Sequence, residues 1–151
     1  MKLEYPDELI RGISHESYID EEGRPLASMF QFDDAGRSDG FLETSINWYD
    51  DEHALRLTLE QRKRNDASEY QFKVGVAILS RRQLDSTIHS PNAKGAIDYE
   101  RQMIEGNPYH GNILLKSNLE KQIRNMMSAA IALMCVERIE YRHQIEKEAI
   151  P

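Results

Sequence analysis

The chain has 151 residues, 40% of them hydrophobic and 30% charged, with a net charge of −7 and one cysteine. That length suits a single domain, which can bury roughly 70% of its unfolded surface without a disulfide or metal staple. No apolar run approaches the roughly 20 residues that cross a bilayer, the start of the chain lacks the apolar centre of a secretion signal, and Cys135 alone forms neither an internal disulfide nor a cysteine-based zinc site; a reducing cytoplasm is the expected compartment.

Residues 10–13 read as the start of a strand or the end of a short helix. Glu21-Glu22-Gly23-Arg24-Pro25 is a turn, because glycine permits a positive φ and proline fixes its own. Residues 26–32 follow, with Met29, Phe30 and Phe32 as core candidates, and residues 33–40 form a polar loop. Residues 41–49 alternate: Leu42, Thr44, Ile46 and Trp48 make the more apolar side and should face the core. Asp50 or Asp51 can cap a helix reaching about residue 63. Residues 71–79 give the clearest strand, with Phe72, Val74, Val76 and Ile78 alternating against small Gly75 and Ala77, so close packing is expected on the second side. Ser80-Arg81-Arg82-Gln83 matches a capping box and predicts a short helix. Residues 87–106 look like a loop. Residues 109–116 should be a strand. Ser117-Asn118-Leu119-Glu120 is a second capping box, opening a helix whose Leu119, Ile123, Met126, Met127, Ala130, Ile131 and Met134 line one stripe. This helix is expected to run to about residue 142, roughly 37 Å at 1.5 Å per residue, with residues 137–151 as an extended helical tail.

Charge is unevenly spread. Residues 1–60 hold fifteen acids and five bases; residues 61–151 hold eleven acids and fourteen bases. The acidic excess makes nucleic acid a poor partner, since that binding draws on Lys and Arg against phosphates. Arg62-Lys63-Arg64 and Arg81-Arg82 are small basic clusters, read first as solvated. The asymmetry between halves suits a contact with another protein or a second copy.

The segment Asn107-Pro108-Tyr109-His110-Gly111-Asn112 sets a histidine among turn formers just ahead of a strand, a position where working side chains are often placed. A neutral imidazole can serve there as a general base; the structural alternative is a ring that bonds a backbone carbonyl and pins the turn. Asn107, Tyr109, His110 and Asn112 are therefore the binding candidates. No histidine pair has the spacing of a helical zinc site, so no metal and no cofactor are expected. Cys135 lies in an apolar helical run and reads as a small buried hydrophobe.

Arg11 ahead of Gly12-Ile13, with Ser28 and Ser45 on later strands, resembles NAD-using ADP-ribosyltransferase-like and RES-type toxins. The resemblance implies an arginine gripping phosphate or ribose and a serine shaping a nicotinamide pocket; the glutamate such a pocket needs is unassigned, with Glu43 and Glu100 as the available choices. A second resemblance spans residues 11–133. Arg11-Gly12-Ile13, Gly23-Arg24-Pro25 with Ser28 and Phe30, Ser45-Ile46, Val74-Gly75-Val76-Ala77 and Asn107-Pro108-Tyr109-His110-Gly111-Asn112-Ile113 together resemble a group of small bacterial proteins of unassigned function. In that group alanine usually follows the histidine, where this chain has Gly111. This implies a bacterial cytosolic protein encoded near toxin, mobile-element or phage-defence genes.

The sequence thus predicts one α+β domain: a small mixed or antiparallel sheet packed by a long C-terminal helix. The leading functional expectation is a non-enzymatic interaction subunit, accessory or inhibitory, in a bacterial assembly. The alternative is a small enzyme whose pocket gathers Arg11, Ser28, Ser45 and His110.

Overall fold

A computed structural model describes residues 5–87, 96–135 and 138–144. Among these, six strands form one antiparallel sheet: β1 (Glu8–Ile13), β2 (Phe41–Trp48), β3 (Gly75–Ser80), β4 (Ile97–Arg101), β5 (His110–Lys116) and β6 (Ile139–Tyr141), in the spatial order β4-β5-β2-β1-β3-β6. The helices are α1 (Glu52–Glu60), α2 (Arg81–Thr87) and α3 (Lys121–Met134), with 3-10 turns at Glu16–Tyr18 and Ala27–Phe30. The class is α+β, and the sheet is antiparallel throughout. No helix among the described residues is long and apolar enough to cross a membrane.

The alternation in β2 sorts its side chains as expected: Leu42, Thr44, Ile46 and Trp48 are buried. Ile46 and Trp48 join Leu9, Ile13, Ala77, Leu79 and Ile113 from neighbouring strands, and Ile131, Ala132 and Cys135 from the α3 end, in the main core. Ile10 and Val76 point the other way, toward Ala54 and Leu59 of α1. The central strands are therefore covered on both faces, which is why every β3 residue from Gly75 to Leu79 is buried. Trp48 is fully buried and stacks on Tyr5 with ring centroids 4.4 Å apart. Burying an aromatic ring removes roughly 150–250 Å² from water, about 4–6 kcal/mol at 25 cal/mol per Å² before ordering costs. Its indole N–H donates to the Glu100 carbonyl at 3.1 Å. That packing leaves no room at Gly111: a Cβ there would lie 2.3 Å from the indole nitrogen and 2.4 Å from the Glu100 oxygen. Glycine at position 111 is thus a steric consequence of this tryptophan and the Glu100 carbonyl.

Local caps explain two helix starts. Asp51 accepts the Ala54 N–H at 3.2 Å and opens α1. Ser80 accepts the Gln83 N–H at 3.2 Å and donates to Asp7, tying α2 to the segment before β1.

Several expectations are corrected. Ser117 does not cap α3; its hydroxyl donates to the Gly40 carbonyl at 2.9 Å, so the helix begins at Lys121 with no side-chain cap. Nor does the helix run to residue 142. It holds 14 residues, about 21 Å long, and the chain then returns as β6, pairing Ile139 with Ala77 and Tyr141 with Gly75. The physical reason is the edge of β3, whose backbone groups would otherwise lie unpaired. Ile139 packs on the main core at the same time. The tail beyond residue 144 lies outside the described residues. The α3 stripe is also rotated from the expected one: Met127, Ser128, Ile131 and Ala132 are buried, while Met126 is 67% and Leu133 71% exposed. Ser128 belongs inside because its hydroxyl donates to the Phe30 carbonyl at 2.8 Å. Ser28 sits on the 3-10 turn, not on a strand. Within the span expected to be a loop, residues 97–101 form β4, and residues 88–95 lie outside the described set.

Candidate functional site

The sheet contains a fork. Strands β1 and β2 pair only at Leu9 with Trp48 and at Ile10 with Asn47. Beyond Ile10, β1 follows β3 to Ile13, while β2 runs along β5 back to Phe41. Arg11 fills the split. Its Nε donates to the Met29 carbonyl at 3.1 Å and Nη1 to the Ser45 carbonyl at 2.5 Å, replacing ladder bonds that the diverging strands no longer make. The guanidinium lies 5.9 Å from the Phe30 ring centroid. Burial pushes its pKa down from the ordinary value, with Tyr18 and Asp33 acting in the opposite direction.

A cavity of about 180 Å³ opens at this fork, lined by Arg11, Ser45, Asn47, Asn107, His110 and the Gln61–Gln71 pair over an apolar bed that includes Ile10 and Phe72. Gly12 has no side chain because the Phe72 ring occupies that space: a Cβ would meet the ring at 2.2 Å. The cavity walls are braced by a chain of amides. Asn107 Nδ2 donates to Asn47 Oδ1 at 2.9 Å, Asn47 Nδ2 to Thr58 Oγ1 at 2.6 Å, and Thr58 Oγ1 to the Ala54 carbonyl at 2.7 Å. The Asn107 side-chain oxygen also accepts the Tyr109 N–H at 3.0 Å. Across the cavity, Gln61 Nε2 donates to Gln71 Oε1 at 2.9 Å.

His110 faces Asn47 across the β2–β5 ladder. Its Nδ1 lies 2.9 Å from the Gln102 carbonyl. A carbonyl only accepts, so Nδ1 carries a proton, and in the neutral ring Nε2 is left as the acceptor. This bond pins the β4–β5 connection.

The structure brings Arg11, Ser45, Asn107 and His110 to one cavity and leaves the other nominated residues elsewhere. Ser28 is exposed on its turn. The Tyr109 hydroxyl donates to Asp51 Oδ1 at 3.0 Å and lies 2.9 Å from His53 Nδ1, which locks the α1 start to the β5 approach. Burial, reinforced by Asp51, raises the tyrosine pKa. Asn112 is fully buried and donates through Nδ2 to Glu100 Oε1 at 2.7 Å and Gln102 Oε1 at 2.9 Å. The two glutamates considered for a nucleotide pocket are engaged by one arginine: Arg37 Nη1 reaches Glu43 at 3.1 Å and Glu100 at 2.5 Å, and Nη2 reaches Asp39 at 2.6 Å. This holds the Arg37 pKa above, and the Glu100 and Asp39 pKa values below, their ordinary ranges.

Most members of the basic clusters are engaged by residues outside them. Arg62 and Arg142 sandwich the Tyr70 ring at 3.9 Å each, Lys63 pairs with Glu69, and Arg81 donates to the Tyr5 and Pro6 carbonyls. No group of three or more His, Cys, Asp or Glu side chains among the described residues is placed to hold a metal ion. Cys135 is fully buried, and burial pushes its thiol up to about 12, where little reactive thiolate exists at neutral pH.

The sequence did not point to Asn47, Gln61, Gln71 or Phe72. The alternation in β2 places Asn47 on the side opposite the more apolar set. Gln61 and Gln71 meet only because the excursion between α1 and β3 closes through the Arg62–Tyr70 bridge. No family model matches the chain, and no curated protein or solved structure resembles it at a significant level.

Proposed function

We propose that the chain is a non-enzymatic interaction protein of the cytoplasm, an accessory or inhibitory subunit that receives an apolar helix of a partner protein on the outer face of α3. The observation that carries this reading is the exposure of Met126 and Leu133, seven residues apart and so on one side of the helix, with exposed Ala129 between them. Gln122 and Asn125 flank them. The strip therefore holds no charge in a chain that is 30% charged. Depletion of charge and enrichment in methionine mark the centres of protein interfaces, and methionine adapts its shape to a partner. The small Ala129 leaves a dip into which a ridge of the partner helix fits.

The nominated catalytic groups support an enzyme less well. Arg11 spends two of its five donors on backbone carbonyls, and the cavity beside it falls below the roughly 300–1,000 Å³ range of sites for larger ligands. A dinucleotide does not fit such a space. Among the described residues no nucleophile–base pair lies within hydrogen-bond distance in the cavity.

The test is affinity capture with the full chain beside its Met126→Gln/Leu133→Gln variant, together with mass in solution. The expected result is a stoichiometric protein partner that the variant loses and whose cross-links map to α3. A chain that is strictly monomeric and retains nothing in a manner dependent on these residues overturns the reading. A homodimer broken by the same substitutions replaces the partner with a second copy.

A further inference from the structure

We propose that the fork between β1 and β2 is a binding site for a small oxyanion, a carboxylate or phosphate group, held by Ser45 and Gln71 beside the charge of Arg11. This goes beyond the interaction role and does not depend on it.

The first argument is electrostatic. The chain carries 26 acidic residues, yet among the described residues none lines this cavity, and Arg11 is the only permanently charged one that does. Among the described residues Arg11 makes no ion pair; Asp33 acts on it only through space. Its two bonds go to neutral carbonyls, which orient the guanidinium without cancelling its charge. A positive, partly desolvated group in an acidic protein favours an anion.

The second argument is the inventory of donors. Asn47 and Asn107 are occupied by the amide chain and hold the walls in place. The Ser45 hydroxyl, Gln71 Nε2 and His110 Nε2 have no partner among the described residues. Gln71 uses its oxygen to accept from Gln61, so its amide nitrogen is turned away from that bond with both hydrogens available. His110 is anchored through Nδ1, which leaves Nε2 of the neutral ring as an acceptor beside the site and not one of its donors. Ser45 stands at the rim, its side chain exposed.

The third argument is size and build. At about 180 Å³ the cavity holds a compact ligand and excludes a nucleotide. It is also set into the sheet rather than a loop, because the strand divergence, the Arg11 bridge and the Phe72 ring over Gly12 all contribute to it. Sites built on such elements are held more rigidly than sites on loops.

The experiment titrates the full chain with inorganic phosphate, with acetate and with neutral acetamide, following heat and the amide and imidazole resonances. The expected result is saturable binding of phosphate or acetate, shifts centred on His110 and Ser45, and no saturable response to acetamide. The anion that saturates identifies the natural ligand as a phosphate or a short carboxylic acid. Gln71→Glu keeps the acceptor for Gln61 but adds a carboxylate, and should weaken binding at least tenfold. Ser45→Ala alters an exposed hydroxyl, leaves the fold intact and should weaken binding several-fold. Absence of saturation by both anions overturns the proposal, as does equal binding of acetamide or an affinity indifferent to Ser45→Ala.

Discussion

The face of the sheet toward α3 is closed by apolar contact, whereas the face toward α1 is closed over much of its area by hydrogen bonds between side chains. On the first, Leu9, Ile13, Trp48, Leu79, Ile113 and Ile131 are all essentially inaccessible and meet one another directly. On the second, Asn47, Asn107 and Thr58 are buried to a similar degree and paired, and Asn112 is bonded through its amide nitrogen. The difference teaches which damage each face tolerates. An apolar face loses stability in proportion to the volume removed. A hydrogen-bonded face loses it by leaving a donor or acceptor without a partner, even when little volume changes.

Substitutions can break or sharpen that contrast. Trp48→Ala should cost about 3–5 kcal/mol, read from urea denaturation. Gly111→Ala drives a methyl into the same indole and the Glu100 carbonyl and should cost about 3 kcal/mol by overpacking. Asn47→Ala strands Asn107 Nδ2 and removes the donor to Thr58 Oγ1, and should cost about 1–3 kcal/mol, although its side chain is much smaller than tryptophan. If Asn47→Ala proves neutral while Thr58→Ala is costly, the amide chain is not what closes the second face.

Acid should act on the hydrogen-bonded face. Arg37 lowers the Glu100 pKa below its ordinary value of 4.5, with Asn112 adding to the effect and burial opposing it. A carboxyl whose folded pKa is depressed contributes stability that is fully present above its unfolded pKa and is lost as pH falls through the folded value. Stability should therefore decline below about pH 4.5. Glu100→Gln should flatten that decline in thermal melts across the acid range, leaving a smaller slope from Asp39, which Arg37 also lowers. An unchanged slope would show that other carboxylates govern acid unfolding.

Part of the apolar face was legible in the sequence, because period-two alternation in residues 41–49 reports burial directly; the alternation in residues 71–79 does not, since the strand begins at Gly75 and Gly75 to Leu79 are all buried under cover on both faces. Leu42, Thr44, Ile46 and Trp48 followed that reading, and the buried Cys135 followed from its apolar neighbours. What alternation could not report is what covers each side. Asn47 sits on the polar side of β2 and is buried because α1 lies over it and Thr58 offers a partner. The strand β6 was hidden by helical periodicity, and only the unpaired edge of β3 explains why the chain turns back. Ser117 matched a capping pattern, yet the Gly40 carbonyl, distant in sequence, claims its hydroxyl. At the cavity, Arg11, Ser45 and His110 were legible as chemical types. Their convergence was not, since it depends on two strands parting after a single shared pair of registers.

The smallest expected effect is the most discriminating. Met126 and Leu133 face away from both sheet surfaces, so Met126→Gln/Leu133→Gln should change stability by less than about 0.5 kcal/mol per site. Glutamine is a good helix former, so α3 itself should persist. Met127 is the internal control: it is 5% exposed and one residue away, and truncating it should lower the denaturation midpoint clearly. If the paired exposed substitutions leave the midpoint unchanged while partner capture disappears, the outer face of α3 acts in contact and not in folding. If instead they destabilise the isolated chain as Met127→Ala does, the helix is more deeply packed than its exposure indicates, and the strip cannot be a surface kept free for another protein.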